Sequence, residues 1–256
     1  MDEHALRKEF KRQCISQGFL NLAPHYYARC IGDGIFQTIY TGFKQYLNVN
    51  SPCYDPQHRK DYYISIGVKS MYTRWPEWIF VPGKSCGGYS PANLLCMENY
   101  VFDGIRTEYV AMLEGGFSAL NVLNTQKEML QFRNSVMRTS RNTRIHSFDL
   151  VAPYLMCGEI EEAFFEIDHQ YTHSVIGFFS ENEQLLSAGK SAEFLVELDT
   201  LKVRTQEASD LWCALIGRNY DFVHAYLSQN YEQNYLWAQK YRIPFSEDFH
   251  KAKALL

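Results

Sequence analysis

The chain lacks the features that mark several large classes of protein. No stretch approaches the ~20 uninterrupted apolar residues that a bilayer span requires, so we expect no membrane role. The seven cysteines, an odd number, include no Cys-x-x-Cys pair, and the charged start Met-Asp-Glu-His carries no secretory signal. These absences predict reduced thiols and a cytoplasmic location. The net charge of −4 is mild, which indicates no attraction to nucleic acid.

Familiar catalytic signatures are also missing. There is no Gly-x-Ser-x-Gly elbow and no pair of acids whose spacing argues for glycoside hydrolysis. Residues 82–85, Pro-Gly-Lys-Ser, end like a phosphate-binding loop, but Trp78 stands where the earlier glycine of that motif belongs. We therefore interpret these residues as an ordinary turn and expect no bound nucleotide or other cofactor.

The clearest secondary structure signal is a strand with strict alternation over residues 61–70. Apolar side chains recur at every second position and share one face of the strand: Tyr62, Ile64, Ile66 and Val68. A period of two over four cycles predicts a half-buried β-strand.

Further strands are predicted on both sides of that segment. The triplet Gly32-Asp33-Gly34 separates two apolar runs, and glycine tolerates the positive φ of a tight turn. We therefore predict a β-hairpin over residues 25–46. Residues 75–81 are the candidate for a fourth strand, which Pro76 would restrict to a sheet edge.

Helical patterns dominate elsewhere. A helix is predicted over residues 2–17, and strand signals fade beyond about residue 90. Thr125 with Glu128 and Ser180 with Glu183 both fit capping boxes that begin helices.

Two glycines divide the later helices. Gly158 and Gly217 each separate an apolar run from a further helical run, as in helix–glycine–helix hairpins. Pro153 predicts that its helix begins or kinks there.

Together these signals predict an α+β protein. An N-terminal antiparallel sheet of about four strands with a flanking helix precedes a mainly α-helical half. We place a domain boundary near Asn99, giving regions 1–99 and 100–256; the alternative is that the two regions form one compact unit.

The order of these elements resembles a known family. The matching features are the helix ending in Gly18-Phe19, the strands around 26–29, 36–40 and 62–68, and the later run Tyr154-Leu-Met-Cys-Gly-Glu-Ile-Glu-Glu-Ala163. This combination is similar to the bacterial domain of unknown function 4304 family over roughly the first two thirds of the chain. The resemblance implies a bacterial protein of an immunity or interaction type, and it implies no site residues.

One constellation has the composition of a metal site. Glu162, Glu166, His169 and His173 fall within about 60° on one helical face, since a helix turns by about 100° per residue. Carboxylates and imidazoles at this spacing suit a divalent metal. The alternative is a solvated face, because the opposite stripe of Ile160, Phe164, Ile167 and Tyr171 is apolar.

Cys86 is the candidate catalytic thiol. It stands between Lys84 and two glycines, and a cation with exposed backbone amides lowers a thiol pKa. The alternative is an inert cysteine in a turn, because no general base is specified by the sequence.

Two further groups are candidates for contact with a partner. Positive charge concentrates at the end of one helix and in the loop after it, in Arg133, Arg138, Arg141 and Arg144. These side chains suit an acidic partner, or they form a cationic helix end and a solvated loop. Aromatic residues crowd the last helices, among them Tyr231, Tyr235 and Trp237, and they suit either an interface or packing between helices.

We infer from the sequence a non-enzymatic protein that binds another protein, with an immunity-like role implied by the family resemblance. The alternative is a metal-dependent or thiol enzyme that uses Glu162, Glu166, His169 and His173 or Cys86.

Overall fold

The computed structural model describes residues 3–23, 25–45, 60–74, 93–99, 114, 116–139 and 148–256. It confirms the predicted α+β class: helix α1 (Glu3–Ser16) and an antiparallel sheet come first, and helices follow to residue 240. None of the helices among these residues is long and apolar enough to cross a membrane.

The sheet has five strands, which follow one another in space as they do in the chain. They are β1 (Leu20–Ala23), β2 (Tyr26–Ile31), β3 (Ile35–Gln45), β4 (Lys60–Ser70) and β5 (Asn93–Asn99), and every neighbouring pair is antiparallel. The predicted hairpin and the strand over residues 61–70 are confirmed.

The sheet has one strand more than the expected number of about four. Strands β1 and β5 were not predicted from the sequence. Strand β5 reads Asn-Leu-Leu-Cys-Met-Glu-Asn and contains no β-branched residue, which gives it no strand signal. Pairing with β4, where Ser65 lies opposite Cys96, makes it a strand. The candidate strand at residues 75–81 lies outside the described residues.

The turn between β2 and β3 needs glycine for two reasons. Gly32 and Gly34 both have positive φ, of 48° and 68°. A Cβ atom at Gly32 would also lie 2.0 Å from the carbonyl oxygen of Asn124, whose oxygen accepts a hydrogen bond from the Asp33 N–H at 2.7 Å. This turn therefore fixes the loop before α2 (Gln126–Thr139) against the sheet.

One predicted capping box is confirmed and the other is wrong. The Thr125 hydroxyl accepts from the Glu128 N–H at 3.1 Å, and the Glu128 carboxylate accepts from the Thr125 N–H at 2.9 Å. Ser180 begins no helix, because it lies inside the helix Ile160–Ser187, which is followed by Gly189 with φ of 72°.

The C-terminal region contains four α-helices after a short 3-10 helix (Phe148–Leu150). They are α3 (Val151–Met156), α4 (Ile160–Ser187), α5 (Ser191–Ile216) and α6 (Tyr220–Lys240). Gly158, with φ of 72°, separates α3 from α4, and Gly217 with Arg218 separates α5 from α6. Both predicted glycine breaks are therefore confirmed, and Pro153 lies in the first turn of its helix, where proline is tolerated.

Both faces of the sheet are covered. Tyr27, Ile35 and Ile39 point to one side, where they pack with Phe10 of α1 and with Leu120. Residues on the other face, including Tyr26, Ala28 and Phe36, join a larger core with α3, α4, α5 and α6. The body of the molecule thus has a layer of helix, a sheet and a second layer of helices.

Helix α6 and the C-terminal segment hold this body together. The buried Asn234 amide donates to the carbonyls of Met71 and Thr73 at 2.8 and 2.7 Å, at the end of β4. Beyond α6, Phe245 pairs with Cys30 of β2 in a parallel bridge. The proposed domain boundary near Asn99 stays a prediction.

Candidate interaction surface

Helices α4 and α5 form a long antiparallel hairpin. At 28 and 26 residues, each extends for about 40 Å at 1.5 Å per residue. The base of the hairpin belongs to the main core, where Ala163 and Ile167 of α4 lie buried with Ala208 and Leu211 of α5. Phe164 and Trp212 also pack there, with their ring centroids 5.6 Å apart.

The outer half of the hairpin, residues 171–203, is exposed to solvent along most of its length. Among its described side chains only Phe178 and Leu201 are buried. Phe178 packs against Phe179 and Phe194, with ring centroids 5.4 Å from each of them. This small aromatic contact joins the two helices near their connection at Gly189, so the outer half has a local core of its own.

Apolar side chains on the hairpin face solvent in unusual number. Of the fourteen large apolar residues that are exposed in the described part of the chain, nine lie on these two helices: Phe165, Tyr171, Ile176, Phe179, Leu195, Val196, Val203, Trp212 and Ile216. Single exposed apolar residues are normal on any protein, but a concentration of them marks an interaction site.

The hairpin is also strongly acidic. Residues 160–216 contain eleven acidic and three basic residues, a net charge of −8 in a chain whose total is −4. Lys190 and Lys202 are already paired with Glu193 and Asp199, at 3.2 and 2.9 Å. Within the described residues, Glu181, Glu183 and Glu197 form no ion pair. The outer half therefore presents apolar side chains among carboxylates, several of which have no ion-pair partner in the part of the chain that the structure describes.

The helical face of Glu162, Glu166, His169 and His173 lies towards the base of this hairpin. It does not match the expectation of a solvated stripe opposite a buried apolar one. Glu166 is only 1% exposed, and Tyr171 of the opposite stripe is exposed, so the division into a solvated and a buried stripe is wrong at these two positions. The rings of His169 and His173 do lie together, with centroids 4.3 Å apart. Across the described residues no three His, Cys, Asp or Glu side chains are arranged to hold a metal ion. A metal site here stays a prediction.

Cys86 lies outside the described residues, so its environment stays a prediction. Four other cysteines are free thiols. Burial raises the pKa of Cys14 and Cys30, and it raises the pKa of Cys157 to about 11. These three thiols are poor nucleophiles at neutral pH, because the thiolate is the reactive form. Cys213 is exposed on α5.

Only part of the arginine cluster belongs to the described residues. Arg133 and Arg138 lie on α2. Arg141 and Arg144 lie outside the described residues.

The three aromatic candidates on α6 pack against other aromatic rings of the molecule, with Tyr235 and Trp237 half-buried. Tyr231 is buried with its ring 5.1 Å from that of Tyr72. Tyr235 lies 5.1 Å from Phe245, and Trp237 contacts Phe36 edge-on at 6.3 Å. These contacts correspond to the packing interpretation of the aromatic residues.

A cleft of about 460 Å³ lies where α2 begins beside the C-terminal segment. Its walls carry both signs of charge, from Lys127 and Lys253 and from Asp33 and Glu159. His250 pairs with Asp33 at 2.6 Å across it. The mixed charge favours no single class of ligand.

No family model, no curated protein and no solved structure matches this chain. The resemblance to the domain of unknown function 4304 family therefore stays a prediction.

The α4–α5 hairpin is the described feature that indicates most about function. Its acidic character is readable from the sequence, whereas the exposure of Ile176, Phe179 or Val203 is not, because an apolar residue on a helix usually signals a buried face.

Proposed function

We propose that this protein is a non-enzymatic binding protein that grips a basic partner protein through the outer half of the α4–α5 hairpin. The observation that carries the proposal is the exposure of apolar residues such as Ile176 (59%) and Val203 (78%) on a hairpin with a net charge of −8.

The apolar residues supply the affinity in this proposal. Burying an exposed aliphatic side chain is worth about 1.5–3 kcal/mol, and an exposed aromatic cluster offers large area at small entropic cost. Phe179 is 49% exposed beside Phe178 and Phe194, which hold it in place. A side chain that is already ordered loses less freedom when a partner covers it.

The carboxylates of the hairpin determine which class of partner protein binds. The carboxylates of Glu181, Glu183 and Glu197, which form no ion pair within the described residues, raise the local concentration of a basic protein and repel an acidic one. Such a surface suits an immunity-like protein that covers a basic target; the family resemblance implies an immunity-like role, and the charge of the hairpin adds the basic target. The alternative of a metal-dependent or thiol enzyme stays a prediction, since Cys86 lies outside the described residues and a metal site at Glu162, Glu166, His169 and His173 has not been tested.

Photo-crosslinking in cells of the native host tests this function. A photoreactive amino acid replaces either Ile176 or Val203, and the control position is Val122, which is 60% exposed but lies outside the hairpin. We expect adducts with a basic protein from the hairpin positions and none from Val122. The purified partner should then bind the wild-type protein, with an affinity that falls as salt rises.

Two results would contradict the proposal. One is equal crosslinking from Val122 and from the hairpin positions, which would indicate random contact. The other is a purified partner that is acidic, or whose binding does not change with salt, because the carboxylates would then play no part.

A further inference from the structure

The two outer edges of the hairpin are not equivalent. One largely exposed edge of α4 carries side chains spaced by four, three, four, three and four residues. We call them the α4 seam: Phe165, His169, Thr172, Ile176, Phe179 and Glu183. This alternation of three and four is the spacing with which a helix meets another helix in a coiled coil.

The seam is accessible. Phe165, Ile176 and Phe179 are exposed, as are Thr172 and Glu183. From Phe165 to Glu183 the seam covers about 27 Å, or five turns of helix. A partner helix of similar length would therefore cover it completely. By contrast, the outer edge of α5 presents Val196 and Val203 with Asp199 between them, a shorter and interrupted stripe.

The charges of α4 determine what kind of helix fits. Its 28 residues contain six acidic residues and neither Lys nor Arg. Glu161 and Asp168 flank the seam, and within the described residues they form no ion pair. In a helix pair the flanking positions face the partner's flanking positions, where opposite charges attract and like charges destabilise.

We propose that the α4 seam receives a basic amphipathic helix, a proposal that rests on the proposed function and specifies its partner. A second copy of the chain is a poor occupant, because two α4 seams would bring Glu161, Asp168 and Glu183 of each copy into one interface, where like charges repel. A basic helix supplies apolar side chains for Phe165, Ile176 and Phe179, and it pairs its Lys or Arg residues with the flanking carboxylates.

The polar centre of the seam sets the register. His169 and Thr172 separate the apolar Phe165 from Ile176 and Phe179. A partner helix therefore binds most tightly when its own apolar residues lie opposite Phe165 at one end of the seam and opposite Ile176 and Phe179 towards the other. A polar residue within an apolar seam specifies register at a cost in stability.

A synthetic peptide of about 21 residues tests the proposal directly, with Leu at the a and d positions and Lys at e and g. The first control has the same composition with the leucines moved off the seam, and the second has Glu in place of Lys. Binding to the full chain is measured by fluorescence anisotropy.

The matched protein variants are Ile176→Lys on the α4 seam and Val122→Lys, which lies outside the hairpin. Each replaces an aliphatic residue of similar exposure, 59% and 60%, by lysine, and circular dichroism checks that both fold. We expect Ile176→Lys to weaken binding of the basic peptide by about tenfold or more, and Val122→Lys by less than about threefold. Both control peptides should bind at least about tenfold more weakly than the basic one.

Several outcomes would overturn the proposal: no binding of the basic peptide, equal binding of the Glu peptide, or equal loss in the two variants. If the crosslinked natural partner still contacts Ile176 or Val203 while the basic peptide does not bind, the binding function stands and only the helical partner is refuted. If neither binds the hairpin, both proposals fail.

Discussion

The body of the molecule and the outer half of the hairpin use similar residues in opposite ways. In the body, Leu211 and Ile167 are buried against neighbouring helices, and Asn234 donates to backbone carbonyls at the end of β4. Beyond residue 171 the same two helices continue, but Ile176, Leu195 and Val203 face solvent. The comparison teaches that one helix can serve the fold along part of its length and remain available for a partner along the rest.

A matched pair of leucine substitutions on α5 gives the largest expected contrast. Leu211 is fully buried and Leu195 is 58% exposed. Truncation of a buried leucine leaves a cavity, so we expect Leu211→Ala to lower the free energy of unfolding by about 2–5 kcal/mol. We expect less than about 0.5 kcal/mol for Leu195→Ala. Urea denaturation measures both, and similar losses would erase the distinction between base and outer half.

Two glycine-to-alanine substitutions, one inside α4 and one just before it, should change the free energy of unfolding by smaller amounts and in opposite directions. Gly177 lies inside the helix, and an added Cβ would meet nothing within 4 Å. We expect Gly177→Ala to stabilise the protein by about 0.5–1 kcal/mol, because alanine loses less backbone entropy than glycine.

Gly158 is the control for that substitution. Its φ of 72° disfavours any side chain, so Gly158→Ala should destabilise by about 1–2 kcal/mol. Thermal unfolding monitored by circular dichroism compares the two variants. A loss of stability in Gly177→Ala would indicate that the outer half packs more tightly than its exposure implies.

Much of the body was predictable because its signals are local. The glycines at 32 and 34 define the hairpin turn, alternation defines β4, and Thr125 with Glu128 starts α2. Strand β5 was not predictable, since its conformation depends on β4 as a partner rather than on its own residues.

The function of the hairpin was harder to predict, for a physical reason. Ser180 and Glu183 fit a capping box, yet the helix runs through them to Ser187, and the contact of Phe178 with Phe194 holds α4 against α5 just before that point. The burial of Glu166 likewise depends on neighbours that α4 itself does not specify. Local sequence states which side chains could form a face, and tertiary packing decides which face meets solvent.

Shortening the hairpin tests most directly whether its outer half serves binding rather than folding. The variant lacks residues 177–187 and 191–201 and keeps the connection Ala188-Gly189-Lys190. Eleven residues correspond to about three helical turns, so the remaining helices stay in register. We predict a melting temperature within about 5 °C of wild type and loss of binding to the crosslinked partner. A shortened chain that fails to fold, or that folds and binds the partner with undiminished affinity, would contradict this assignment.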